Sequence, residues 1–244
     1  MRKHFVALAL VVGIAVLILL GCSGPSNVSL RNPTAPTSGS LTVFGTDAPL
    51  CSVVSFDVTI AGATLTPQEG GDPLSIIPSD PPVRVDFASL MGFATVLNFA
   101  SVKAGTYSQI TLTLSQPELT VMEGSTPTTI PTSLSSGTVT ANITPTLEVT
   151  SNGSAGLMLD FRLLKSVEIN ASGQVTGTVN PIFRVHPTVI TILNGLGELD
   201  ELHGIVQSVT TSSTDPAFIG SFNLQVTRNR TLVINVTERT HLRG

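Results

Sequence analysis

Three aspartates are the residues of this chain whose type and setting come closest to chemistry. Asp47 stands in Gly45-Thr46-Asp47-Ala48-Pro49, Asp86 heads Phe87-Ala88-Ser89-Leu90-Met91, and Asp160 lies in Leu157-Met158-Leu159-Asp160-Phe161. Acids that converge could hold Ca²⁺, which needs several oxygen ligands, or serve a hydrolase or metal-dependent enzyme with an acidic site. No Asp-x-Asp spacing supports this. Each acid also has a fold-building reading. Asp47 before Ala-Pro would accept backbone N–H groups and tighten a turn. Asp86 would cap the short turn that follows it, and Asp160 would pair with Arg162 or Lys165. The usual catalytic signatures are missing: there is no Gly-x-Ser-x-Gly, Ser-x-x-Lys, His-Glu-x-x-His, phosphate loop or Cys-x-x-Cys. His186, His203 and His241 do not stand at metal-ligand spacing. No cofactor is expected, and the chain is read as a non-enzyme.

Lys165 completes the possible polar cluster of Asp47, Asp86, Asp160 and Lys165. Leu157, Leu159, Phe161, Leu163, Val167 and Ile169 share one parity, whereas Met158, Asp160, Arg162, Ser166 and Glu168 share the other. Lys165 falls on the apolar parity and Leu164 on the polar one. An unpaired ammonium in a core costs several kcal/mol. Gly156 to Ile169 is therefore expected to be one strand with a bulge at Leu164-Lys165. Lys165 is then either turned outward or held near a carboxylate, with Asp86 and Asp160 as candidates.

The elements that must position these residues are strands. Charged residues make up 11% of the chain, there is no Trp and a single Tyr, and Ser, Thr, Gly, Val and Pro dominate, which favours pleated segments and turns. Val54, Phe56, Val58 and Ile60 alternate with Ser55, Asp57 and Thr59, the pattern of a strand with core on one side and water on the other. Ile110, Leu112 and Leu114 share a face likewise, and one helical turn is expected after Asp86. The expected fold is all-β: an antiparallel β-sandwich over residues 40–187, a connector over 188–202 and a small C-terminal β appendage over 203–244. The appendage has too few strands for a core of its own, so it should dock on the sandwich or be incomplete.

Ahead of these stands a leader. Arg2 and Lys3 precede an apolar run from Phe5 to Leu20, closed by Gly21-Cys22, which is the layout of a secretory signal. An uncleaved membrane anchor is the competing reading, since Phe5 to Cys22 just reaches the length of a span. Residues 22–39 carry no apolar periodicity and read as a flexible tether. The formal charge is −4; without Arg2 and Lys3 it is 10 basic against 16 acidic residues, or −6. No basic cluster offsets this, so nucleic acid is not an expected partner. Six Asn-x-Ser/Thr sequons occur, as chance allows in a chain so rich in Ser and Thr.

The Gly21-Cys22 junction resembles a bacterial lipoprotein signal. That resemblance implies cleavage before Cys22, lipid chains on it and anchoring in the cell envelope, with the outer membrane favoured because Ser23 is not the Asp typical of inner-membrane retention. Cys51 would then have no intramolecular disulfide partner and should be buried or shielded. The segments Leu41 to Pro49, Ala104 to Ile110, Leu157 to Phe161 with Lys165-Ser166, and Asn180 to Val185 occur in that order. Together they resemble the envelope family of domain of unknown function 4382, over roughly Ser40 to His186. The resemblance implies a lipoprotein with membrane as one partner and an envelope protein or glycan as another. Arg162 and Asn180 depart from the family's usual Asp and Lys. The tail from His203 is similar to the opening strands of domain of unknown function 5666, as a truncated copy.

Overall fold

Period-two runs of Val, Ile, Leu and Phe, broken by Gly, Pro and Thr-rich bends, leave this chain little alternative to strands. The computed structural model describes residues 37–47, 50, 52–193, 196–198, 203–211, 219–237 and 240. The leader, Cys22, most of the tether, Cys51 and parts of the connector and tail lie outside the described residues.

The strands of the sandwich are β1 (Ser38–Asp47), β2 (Val53–Pro67), β3 (Leu74–Ile77), β4 (Val83–Asp86), β5 (Thr95–Lys103), β6 (Gly105–Glu123), β7 (Thr126–Ile130), β8 (Ser133–Leu134), β9 (Thr138–Val149), β10 (Ser154–Phe161), β11 (Val167–Ile169), β12 (Val175–Val179) and β13 (Phe183–Thr188). A 3-10 turn, Phe87–Leu90, follows β4, and one helical turn, α1 (Leu163–Ser166), follows β10. Beyond them lie β14 (Thr191–Leu193), β15 (Leu196–Glu198), β16 (Ile205–Thr211), β17 (Gly220–Thr227) and β18 (Arg230–Val236).

The main sheet runs β3-β2-β6-β9-β13-β10-β1-β5, with β4 added beside β2 and β7 beside β6. It curls until its two ends meet: Asn98 Nδ2 on β5 donates to the Ile76 carbonyl on β3 at 2.5 Å. A barrel-like sandwich results, with edges covered rather than exposed. The all-β fold is as expected, and most joints are antiparallel. Two joints of the main sheet are parallel instead, β1 with β10 and β9 with β13. Each joins strands far apart in sequence, the separation that parallel pairing requires.

The interior centres on Phe161. Its ring stacks on Phe56 at 5.1 Å, tilts against Phe87 at 5.1 Å and meets Phe183 edge-on at 5.0 Å. Phe56, Phe87 and Phe161 are fully buried. One ring thus ties β2, the 3-10 turn, β10 and β13 together, with aromatic geometry adding to the area buried.

Two sequence expectations are corrected here. Gly156 to Ile169 do not form one bulged strand: β10 ends at Phe161 and the chain makes the helical turn α1 before β11. Lys165 and Ser166 N–H groups both bond the Arg162 carbonyl, at 2.9 and 3.0 Å. Leu163 and Ser166, three apart, face inward while Leu164 and Lys165 face water. The spacing switches from two to three, which resolves the parity conflict without a bulge. Lys165 has no carboxylate within 4 Å among the described residues. On β2, Val54 is 45% exposed, whereas Asp57 and Thr59 are buried, so the face expected to meet water is covered.

Phe161→Ala is expected to cost about 3–5 kcal/mol in chemical denaturation, the range for deleting a buried aromatic ring. Lys165→Met should stay within about 0.5 kcal/mol of the parent, as exposed sites do.

Candidate functional site

The turn α1 is held from three directions by groups the sequence spreads over 130 residues. From β1, Asp47 Oδ1 accepts the Leu163 N–H at 3.1 Å. From β10, the Arg162 carbonyl accepts the Ser166 hydroxyl at 2.9 Å. From the segment before β13, the Ile182 N–H donates to Ser166 Oγ at 3.0 Å, the Asn180 N–H to the Ser166 carbonyl at 2.7 Å, and the Arg162 N–H to the Ile182 carbonyl at 2.9 Å. Charge-assisted bonds from backbone N–H to carboxylate are the stronger kind. Asp47 therefore anchors a distant turn.

Beside α1 an open groove of about 550 Å³ separates β9 from the start of β13. Its origin is in the ladder. Among the described residues, β9 and β13 share one registered pair, Ile143 with Val185. Continuing that parallel register by two residues would set Pro145 against Pro187, and neither carries an N–H to donate. In the other direction no registered pair follows among the described residues. Thr138–Asn142 keep β6 on one side and meet the groove on the other. Arg162, Lys165 and Arg184 line it, and no carboxylate does.

A second polar assembly lies where the C-terminal strands pack on β4 and β5. Asp57 is 2% exposed. Arg228 grips it bidentately, Nε donating to Oδ1 and Nη2 to Oδ2, the latter at 2.6 Å. Arg84 stands behind with Nε 4.0 Å from Asp57 Oδ1. Its Nη1 donates to the Gln116 carbonyl at 3.1 Å and its Nη2 to Glu118 Oε2 at 3.4 Å. Gln116 adopts φ +50° where β6 bulges past β2, and this aims its carbonyl at the guanidinium. Further bonds fasten the same joint: Asn229 Nδ2 to the Pro82 carbonyl at 2.6 Å, Thr95 Oγ1 to the Val226 carbonyl at 2.6 Å, and Arg230 Nη1 to Asn98 Oδ1 at 2.6 Å. The His203 ring stacks on Phe93 at 4.8 Å. Residues 36–244 accordingly group as one unit.

Asp86 sits at the N-cap position of the 3-10 turn, yet its side chain makes no cap bond. Instead Oδ1 accepts the Phe56 N–H across the sheet at 2.9 Å. Burial pushes its carboxyl up from the ordinary value and the neighbouring charge of Asp57 adds to this, while the Phe56 N–H, Ser89 and Arg228 pull the other way. Asp160 faces Arg184 in register on β13 but lies within 4 Å of neither Arg162 nor Lys165, correcting that expected pairing. The anticipated cluster is thus divided: Asp47 and Lys165 belong to the α1 region, Asp86 to the Asp57 joint, and Asp160 to β10. Among the described residues no group of three or more His, Cys, Asp or Glu could hold a metal ion.

Sequence reasoning missed Asp57, Arg84 and Arg228. Asp57 and Arg228 are 171 residues apart, and no local pattern marks such a pair. One signal was present: an acid at the centre of a strand whose Phe56, Val58 and Ile60 all point inward.

Compared with known proteins, the chain matches a family model described as Domain of unknown function (DUF4382) over residues 38–176. No curated protein and no solved structure matches it.

Two outcomes follow from the joint. Arg228→Met leaves Asp57 buried with Arg84 alone nearby, so a loss of about 2–3 kcal/mol is expected in denaturation, with the C-terminal strands becoming protease-sensitive first. A carboxyl raised by folding holds its proton more tightly in the folded chain, so stability declines as pH climbs from the ordinary carboxylate value through the raised one. Asp86→Asn, which keeps an oxygen for the Phe56 N–H, should therefore show a higher denaturation midpoint than the parent at pH 7. The two should converge near about pH 3, where both groups are neutral.

Proposed function

We propose, for a chain that belongs to the family described as Domain of unknown function (DUF4382), a non-catalytic role as a lipid-anchored binding or scaffolding module of the cell envelope. The observation that carries the non-catalytic part is where the buried acids Asp47 and Asp57 and the half-buried Asp86 go. Asp57 is engaged by Arg228, Asp86 by the Phe56 N–H and Asp47 by the Leu163 N–H; each holds parts of the fold together. A general base needs a free lone pair within reach of a substrate, and these carboxylates are turned toward the protein. What faces outward is a groove lined by cations, a feature suited to binding.

The anchoring part rests on Arg2-Lys3, the apolar run and Gly21-Cys22. Lipid on Cys22 followed by about 18 residues of tether, each adding up to about 3.3–3.6 Å, would hold the sandwich up to roughly 60 Å from the membrane. Two acyl chains anchor stably where one does not. Cys22→Ala should abolish palmitate incorporation and leave the chain in the soluble fraction or at the mass of the uncleaved precursor. Labelling that survives the substitution would rule the anchor out.

A further inference from the structure

Three cations converge on the β9–β13 groove in a chain whose formal charge is −4. Arg162, Lys165 and Arg184 make no side-chain hydrogen bond and no ion pair within 4 Å among the described residues. Lys165 and Arg184 are exposed, and Arg162 is half-buried. The placement is a product of the fold. Arg162 stands at the N-cap of α1, Lys165 lies within the turn, and Arg184 enters from β13. Asp160 is the nearest acid by register and pairs with none of them. Like charges gathered in a concave surface without a contact ion pair favour an anionic occupant.

The second observation concerns the backbone. Thr138–Asn142 of β9 carry β6 on one side and no registered strand on the groove side. An unpaired edge of this kind is a template for an incoming strand, and main-chain bonds to such an edge are how extended peptides are recognised. A free anion would use the cations and ignore the edge. A sugar ring has nothing flat to stack on, because the one aromatic in the groove, Phe183, is 8% exposed and already packed against Phe161.

We propose that this groove binds an extended acidic peptide segment of a partner protein, which adds a strand to the Thr138–Asn142 edge and sets carboxylates against Arg162, Lys165 and Arg184. Five residues of strand span about 17 Å, enough for two or three acidic side chains on one face, since alternate residues point the same way. This deepens the binding reading above and rests on it.

The test uses the full-length protein in detergent and a fluorescein-labelled octapeptide, Thr-Glu-Val-Glu-Thr-Glu-Val-Glu, followed by anisotropy. Saturable binding is expected. A peptide with Gln for every Glu should bind at least tenfold more weakly, as should one N-methylated at the adjacent third and fourth residues, which keeps the charge and blocks a donor on each side of the strand. The doubly substituted Lys165→Gln, Arg184→Gln protein should bind the acidic peptide at least fivefold more weakly; both side chains are exposed, so the fold is retained. Raising salt from about 0.05 to 0.5 M should weaken binding further. Absence of saturable binding overturns the proposal. So does equal binding of the N-methylated peptide or full displacement by inorganic phosphate, either of which marks an anion site without strand pairing. Unchanged binding by the double variant overturns it as well. Since the peptide is read in detergent, its failure is separate from failure of palmitate labelling, which tests only the anchor.

Discussion

The ring of Phe161 is the contact on which the rest of this structure depends. It closes β10 against Phe56 of β2, Phe87 of the 3-10 turn and Phe183 of β13. It completes the strand's inward-facing series of Leu157 and Leu159, and the next buried residue, Leu163, already belongs to the helical turn. The chain turns there, and α1 begins two residues later. One wall of the groove follows from that stop: Arg162 is left at the corner, Lys165 on the outer side of a single turn, and Ile182 in position to exchange bonds with Arg162 and Ser166.

A similar economy governs the parallel joint beside it. A ladder between β9 and β13 cannot continue past Ile143 and Val185 because prolines stand two residues on in both strands. The sheet remains closed as a whole, since its ends meet at Asn98 and Ile76, yet it is locally open at one seam. Closure elsewhere makes such an opening tolerable: the aromatic cluster and the bonds around Ser166 hold β13 in place without a full ladder. The cations at the seam repel one another weakly in water, so the uncompensated charge costs the fold little.

The C-terminal strands contribute differently. Three strands with Leu224 and Val226 as their buried apolar residues do not make a core, and polar bonds secure them instead. Buried charge pairs of this type contribute modestly to stability but penalise misplacement heavily, because a stranded carboxylate is expensive. Asp57 thereby specifies where β17 and β18 sit, with Gln116, bent into a positive φ, steadying Arg84 from behind.

The sequence by itself determined the class of fold, the order of most strands, the core faces of β6 and β10, and the turn after Asp86. These depend on period and turn chemistry, which act over a few residues and are written locally. Tertiary structure alone decided which acid meets which partner. Asp47 looked like a residue of its own loop and bonds a turn 116 residues away; Asp57 looked solvent-facing and is the buried centre of the C-terminal joint. Lys165 looked like a parity violation to be relieved by a bulge, and a helical turn relieved it instead. Long-range pairing leaves no periodic trace, because the energy of a carboxylate depends on what the fold brings within about 3 Å of it, and not on its neighbours in the chain.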